Sequence, residues 1–529
     1  MTQRLPERLT GAHLNSIGRD AAVTPHHLAS QAAIDVMAEG GNAVDGAIAA
    51  NATLGVVAPE TCGIGGDLFA LIHTPGSATP DALNASGRAG SEATAEAVRA
   101  EGHATIPIQS RWAVTVPGCV DGWAALAARH GRLPLHRCLS RAIELGTEGF
   151  AVTPELAGAL SRLAGVLEGQ DSAKNLYPAG SPPEAGALIR RPQLAKTLAA
   201  IATSGRDAFY SGQIGSQLVA ATGGAIRPDD LAVGQADWIE PISLDVMGWT
   251  GWTIPPNSQG YLTLAAAWIF EQLDPPRDPT DPRFTHAAVE AYRSVARERH
   301  HLVADPDSAP LPPEQLLDPG RLGARVDLIS LERRGDWEPP QPAPGGTAYL
   351  CVRDAAGMGV SFIQSNYHGI GSGIGVGDAG FFLHDRGSGF SLVPGHPNEL
   401  GPGKRPLHTL SPTLWTEADS LAMLLGTRGG DYQPQVLHQM LTYLRWVGAD
   451  GEGAQHLPRW TISKPDTGID YEPHLSEASV RALRQLGHTA DAAPGWMGGW
   501  GPVSVIMGSG AQVRGNADPR VASTSALTG

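Results

Sequence analysis

Cysteine is scarce in this chain: four in 529 residues, Cys62, Cys119, Cys138 and Cys351. No two stand at CxxC spacing, so neither a zinc ribbon nor a dithiol redox motif is indicated. Four are also too few for a disulfide framework at this length, and buried reduced thiols are expected. Long apolar runs are lacking too. The longest, "GAIAANATLGVVA" at 46–58, is too short to span a bilayer. The N-terminal "MTQRLPERLTGAHLNSIGRDAAV" has no apolar core of signal-peptide length. A cytoplasmic location with no membrane partner is therefore expected. Positive charge is in deficit, with 38 Lys and Arg against 53 Asp and Glu and a net charge of −15. A phosphate backbone is a poor partner for such a chain, and no nucleic acid is expected.

Several catalytic signatures are missing as well. There is no GxxxxGK[ST] and no HExxH, and no GxSxG sits in a strand–turn–helix context. "GIGSGIGVG" at 369–377 follows a strand-like segment, but the next residues, "DAGFFLHD", look like strand. A dinucleotide loop needs a helix N-terminus there to hold the pyrophosphate. The pairs His26–His27 and His300–His301 read as surface residues rather than ligands.

What is abundant is glycine and proline, 66 and 42 residues. They mark many tight turns in a chain whose 42% apolar and 17% charged content suits a globular enzyme. Residues 24–42 read as a helix, with Leu28, Ala32 and Val36 in one i,i+4 row and Gly40–Gly41 as its stop. The next helix, "NAVDGAIAANATLGVV", is nearly all small residues, which suits burial on every side. Further helical stretches follow, the longest being "THAAVEAYRSVARERHHLV". After residue 346 the pattern turns strand-like. In "TAYLCVRD", Ala348, Leu350 and Val352 fall on one face and Tyr349, Cys351 and Arg353 on the other. "GVSFIQSN" returns as a second strand, making a hairpin over 347–366, and "FFLHD", "LHTLSPTLW" and "LAMLLGT" also read as strand.

The boundary between these halves is unusual. Pro339, Pro340, Pro342 and Pro344 precede Gly345, Gly346 and Thr347. As an ordinary residue Thr347 simply opens a strand. As an N-terminus it is a nucleophile with its own base, because its α-amine would have a pKa near 8. That chemistry requires the Gly346–Thr347 bond to break.

The motifs "GGNAVDGAIAANATLGVVAPETCGIGGDLF" (40–69), "VTVPGCVDGW" (114–123), "PPNSQG" (255–260), the hairpin from Thr347, "PGKRPLHTLSPT" (402–413) and "GTRGGD" (426–431) occur in this order. Together they strongly resemble the γ-glutamyltransferase family of N-terminal-nucleophile hydrolases over nearly the whole chain. The resemblance implies an α+β fold, a four-layer αββα sandwich with two stacked, mainly antiparallel sheets. It implies self-cleavage into a helical large subunit, 1–346, and a strand-rich small subunit, 347–529, that together form one unit. It places Thr347 on the nucleophile and Ser365 on a hydroxyl that bonds it. Gly429 and Gly430 fall on the glycine pair whose N–H groups form the oxyanion hole. No metal or organic cofactor is implied. The oligomeric state stays open, a homodimer of heterodimers being one arrangement.

The sequence departs from relatives that act on glutathione. Gly389, in "RGSGFS", stands where they carry the aspartate that pairs with the α-ammonium. His408 and Thr409 stand where they carry two serines, and Tyr367 where an asparagine is usual. Their carboxylate-binding arginine aligns without gaps to Ser86. Arg88, two residues on and on the same side of a strand, could still reach the pocket. Arg88, Tyr367, Arg386, His408 and Thr409 are thus the expected substrate contacts. The pattern "RGSGFS…PGKRPLHT…GGDYQPQ" is most similar to the γ-glutamyltransferase-like branch that includes oxamate amidohydrolase, which implies a small-molecule amide carrying a carboxylate. The alternatives are a γ-glutamyl hydrolase or transferase, an acylase, a C–C hydrolase removing an oxalyl-type fragment, and an uncleaved binding protein.

Overall fold

The computed structural model describes residues 5–337, 345–462, 468–508 and 510–529. The proline-rich segment 338–344, expected to become a mobile tail, lies outside them.

The first two helices show how small residues build the interior. Helix His27–Ala38 starts at His26, whose ring accepts the Leu28 N–H at 3.2 Å. His26 is therefore a buried cap and not the surface residue expected. Helix Ala43–Val57 opens with a reciprocal cap. The Asn42 side chain accepts from Val44 and Asp45, and the Asp45 carboxylate accepts from the Asn42 N–H. Every residue of this helix is buried, as its composition predicts. A Cβ on Gly46 would lie 3.3 Å from both the Ala33 carbonyl and Val352, so glycine sets how closely the first helix and the strand Gly346–Arg353 can approach.

Two seven-stranded sheets form the centre. One runs Ser525–Leu527, Ala21–Thr24, Gly346–Arg353, Gly359–Tyr367, Asp67–His73, Asp81–Ala85, Asp237–Ile239. The other runs Asn15–Gly18, Val513–Ala517, Val503–Met507, Ser420–Thr427, Thr413–Glu417, Trp249–Thr253, Ile242–Val246. Every neighbouring pair is antiparallel. The strand alternation read at 348–353 decides what each face covers. Ala348, Leu350 and Val352 pack under the N-terminal helices. Tyr349 and Cys351 meet Leu414, Leu424 and Ile506 of the opposite sheet. Helices Tyr261–Gln272, Pro282–Ala296 and Gln433–Leu441 cover that sheet's outer face. The result is the expected αββα sandwich.

Each sheet takes strands from both sides of position 346, so a cut there would leave both pieces interleaved. The contrast between a helical first part and a strand-rich last part is weaker than the sequence suggests. Helices Gln433–Leu441, Gly451–His456 and Glu477–Gln485 lie after 346. The long helix read over 285–303 breaks at Arg297–Glu298 into Pro282–Ala296 and Arg299–Leu302. "FFLHD" forms only an isolated bridge, Phe382 to Gly375. In "LHTLSPTLW" the strand begins only at Thr413. All four cysteines are buried and free. Among the described residues no helix is long and apolar enough to cross a membrane.

Candidate active site

Thr347 is buried near the start of its strand, where the ladder is irregular. Gly346 pairs with Tyr367 and Ala348 with Gln364, so Ser365 and Asn366 together face Thr347. A bulge of this kind re-aims side chains. It brings Ser365 Oγ to 3.2 Å from Thr347 Oγ1. Ser365 Oγ also donates to the Gly346 carbonyl at 2.6 Å and accepts from the Tyr367 N–H at 2.8 Å. A hydroxyl has one proton and two lone pairs, so toward Thr347 it accepts. One side chain thus polarises the carbonyl before Thr347 and draws on the threonine proton. Attack by Thr347 on that carbonyl needs both.

Gly429 and Gly430 follow the strand Ser420–Thr427 with φ of 119° and 59°. Among the described residues their N–H groups meet no acceptor. A Cβ on Gly429 would lie 2.3 Å from the Trp500 carbonyl oxygen, so only glycine fits. In the intact chain Gly345 occupies the adjoining space, where a Cβ on it would approach Gly430 Cα to 3.0 Å. Donors fixed in this way suit an oxyanion that forms once Gly345 has left. Gly429→Ala is expected to lower kcat by about 100-fold or more. A steady-state assay in which only KM moved would contradict that role.

A buried charge cluster lies next to the nucleophile. Asp67, first in its strand, accepts from Arg386 Nε at 2.8 Å and His408 Nε2 at 2.7 Å, with His384 Nδ1 at 3.4 Å. Burial would raise its pKa, but the Arg386 and His408 interactions outweigh that and hold it well below the usual carboxylate range. Burial, then the Arg386 charge, pushes His408 down to about 4. His408 Nδ1 accepts from the Leu410 N–H at 3.3 Å, so the proton sits on Nε2. His408, expected as a substrate contact, is fully buried with both ring nitrogens engaged and braces Asp67. Arg386 Nη1 donates to Thr409 Oγ1 at 3.2 Å, while Nη2 is buried and has no partner among the described residues. The guanidinium lies 3.9 Å from the Tyr367 ring centroid. Tyr367 holds φ at 74°, a backbone region that asparagine tolerates far better than tyrosine. Burial pushes its phenol up to about 12, so it is neutral at pH 7.

Beside Gly345 and Gly346 a cavity of about 470 Å³ is lined by these two glycines, His368, Glu60, Arg428 and Arg162, among others. Burial raises the Glu60 carboxyl to about 7 against the pull of Arg428. Asp385 accepts from both the N–H and the Nδ1 of His368, at 3.0 and 2.7 Å.

Arg88 is not brought to this site. The strand Asp81–Ala85 ends before it, and Gly87 turns the chain with φ of 74°, so Ser86 and Arg88 do not share a strand face. Arg88 pairs with Asp237 at 2.6 Å and donates to the Gly234 carbonyl. Asp237 is also held by Arg405, whose Nη1 reaches Ser86 Oγ at 3.1 Å. Arg88→Ala is expected to leave KM and kcat for a small carboxylate amide within about twofold. It should cost at most about 1 kcal/mol of stability in a denaturant titration, because the ion pair is partly exposed.

The structure thus gathers Gly346, Thr347, Ser365, Gly429, Gly430, Tyr367, Arg386 and Thr409, sets His408 behind Asp67 and leaves Arg88 outside. Asp67, His368 and Asp385 were not singled out from the sequence. Asp67 did carry a signal, an acidic residue opening a fully buried apolar strand. A metal site is not suggested elsewhere by the buried group His286, Glu290 and His488. His286 and His488 bond each other at 2.7 Å, and Glu290 accepts from Trp337 Nε1 at 2.7 Å.

The model of the gamma-glutamyltranspeptidase family matches residues 29–528. The oxamate amidohydrolase proenzyme of Klebsiella pneumoniae subsp. pneumoniae is 35% identical over 515 residues, covering 94% of this chain and 96% of that one. The glutathione hydrolase-like YwrD proenzyme of Bacillus subtilis is 32% identical over 523 residues, 95% and 97% of the two chains. Among solved structures, cephalosporin acylase from Bacillus halodurans matches with a TM-score of 0.91 at 32% identity, covering 100% of this chain and 99% of that one.

Proposed function

Since the chain belongs to the gamma-glutamyltranspeptidase family, we propose that it cuts itself between Gly346 and Thr347 and then hydrolyses a very small amide that carries a carboxylate, oxamate being the simplest. Thr347 Oγ1 attacks the Gly346 carbonyl, the acyl group moves from nitrogen to oxygen, and water hydrolyses the ester. The freed α-amine then serves as base when Thr347 attacks the substrate amide. The oxyanion sits on the Gly429 and Gly430 N–H groups, and water releases the acyl group.

The observation that carries the substrate class is the unpartnered, buried Nη2 of Arg386 beside Tyr367 and Thr409. It offers a charge-assisted donor to a carboxylate. The nearby acids are already engaged: Asp67 by Arg386 and His408, Asp385 by His368, Asp431 by Arg299. With Gly389 in place of an aspartate, that position offers no carboxylate to the α-ammonium of a γ-glutamyl group, and burying that ion unpaired is costly. The 35% identity to an oxamate amidohydrolase proenzyme supports the same reading.

A second reading, an acylase acting on an amide with a larger leaving group, is favoured by the 470 Å³ cavity beside the cut. The test is turnover of oxamate, glutathione and a cephalosporin-type amide, side by side, by the self-cleaved enzyme. Oxamate turnover without glutathione turnover is expected. Glutathione turnover at a comparable rate would defeat the substrate assignment.

A further inference from the structure

His368 follows Tyr367, the residue paired with Gly346, and shares the lining of one cavity with Gly345 and Gly346. Its position is fixed twice by one side chain. Asp385, fully buried, accepts from the His368 backbone N–H through Oδ1 at 3.0 Å and from its ring Nδ1 through Oδ2 at 2.7 Å. The ring also packs on Tyr367 at a centroid distance of 3.8 Å. With the proton on Nδ1 donated to Asp385, Nε2 is the nitrogen left for chemistry, and among the described residues it has no partner. The side chain keeps 21% of its surface exposed. An imidazole with one nitrogen on a buried carboxylate and the other facing a cavity is arranged for proton transfer.

We propose that His368, oriented by Asp385, is the acid–base residue that protonates the leaving nitrogen and then deprotonates the water of the second step. The proposal rests on Thr347 as the nucleophile. In acylation Thr347 Oγ1 bonds to the amide carbon and its proton passes to the α-amine. As the C–N bond breaks, the imidazolium of His368 gives its Nε2 proton to the departing nitrogen, which leaves as a neutral amine or ammonia. In deacylation water attacks the ester carbon and loses its proton to Nε2, restoring the imidazolium. Thr347 Oγ1 leaves with the proton held by the α-ammonium. Protons balance over the cycle, and no other reactant is needed. The division of labour follows from position: the α-amine lies on Thr347 itself, whereas His368 lines the cavity that Gly345 and Gly346 also line. Asp385 is a positioning residue that balances the imidazolium charge.

The test compares an amide with an ester whose leaving group needs no proton: oxamate against the 4-nitrophenyl half-ester of oxalate. Both give the same acyl-enzyme. His368→Gln should lower kcat on oxamate by about 100-fold or more. With the ester it should release 4-nitrophenolate in a burst near the wild-type rate and then turn over slowly. Intact mass should show an oxalyl adduct on the small chain. A merely structural role would slow both acylations alike. If His368→Gln does not self-cleave, Asp385→Asn, which keeps the imidazole, is read in the same assays and should show the same pattern with a loss of about 10-fold. Wild-type rates on oxamate in a cleaved variant, or equal losses on amide and ester acylation, would overturn the proposal. Failure of both variants to cleave would assign the dyad to self-cleavage and overturn it too. A wild-type enzyme that turns over neither substrate would instead defeat the substrate reading under Proposed function.

Discussion

Thr347→Ala is expected to leave one uncut polypeptide of 55.1 kDa with no turnover. The wild-type protein should run as two chains, the smaller beginning Thr-Ala-Tyr-Leu-Cys. The variant removes the atom that must attack the Gly346 carbonyl, and Ser365, which polarises that carbonyl, has nothing to pass on. It also prevents the α-amine from ever being freed, so the base for the mature reaction is lost along with the nucleophile. Because one substitution deletes both, the loss should reach about 10⁴-fold or more. Thr347→Ser keeps the hydroxyl and should still cut, more slowly, since the β-methyl that restrains the rotamer is gone. The side chain is a small part of a well-packed strand, so Thr347→Ala should melt as one cooperative unit near the wild-type temperature. Intact-mass measurement and N-terminal sequencing read the cut, and calorimetry reads the fold. A cut Thr347→Ala protein, or one still active on oxamate, would remove Thr347 from the centre of the reaction.

Much of this was legible because its physics is local. The two-residue alternation of 348–353 assigned Ala348, Leu350 and Val352 to one core and Tyr349 and Cys351 to another, as observed. The small-residue helix Ala43–Val57 announced its burial by composition. The glycine loop at 369–377 lacked a following helix in sequence, and none follows in the structure. Thr347, Ser365 and the glycine pair came from ordered motifs, which carry more than any single residue.

What escaped depended on long-range partners or on a single backbone angle. Asp67 reads as an oddity in an apolar strand until Arg386 and His408, 319 and 341 residues away, are folded onto it. His408 was an expected substrate contact because it stands where relatives that act on glutathione carry a serine, and its partner Asp67 is far away in the chain. Arg88 was placed in the pocket by extending strand periodicity through Gly87, whose positive φ ends that periodicity. The bulge that turns Ser365 toward Thr347 has no sequence signature either, since it arises from one extra residue on Ser365's own strand.

Arg386→Met is expected to weaken a small carboxylate substrate and destabilise the fold together, and the two effects can be separated. Loss of a charge-assisted hydrogen bond from Nη2 is worth about 1.5–3 kcal/mol, or roughly 10- to 150-fold in kcat/KM. Loss of the Nε contact leaves Asp67 buried with His408 as its close partner, a penalty of about 3–5 kcal/mol. The pH dependence gives the sign. In the wild type the Asp67 pKa lies below its unfolded value of about 3.9, so its stabilisation is present above that pH and lost as pH falls through the folded value. In the variant burial dominates, the folded pKa rises, and protonation relieves the penalty. The stability gap between the two proteins should therefore be widest near pH 7 and narrow toward pH 4, as melting temperatures across that range will read. Adding Asp67→Asn removes the orphaned charge and should restore much of the stability while leaving KM for oxamate raised. If the double variant instead binds oxamate as the wild type does, the carboxylate rests on another group, and the case against a γ-glutamyl substrate falls back on Gly389 alone.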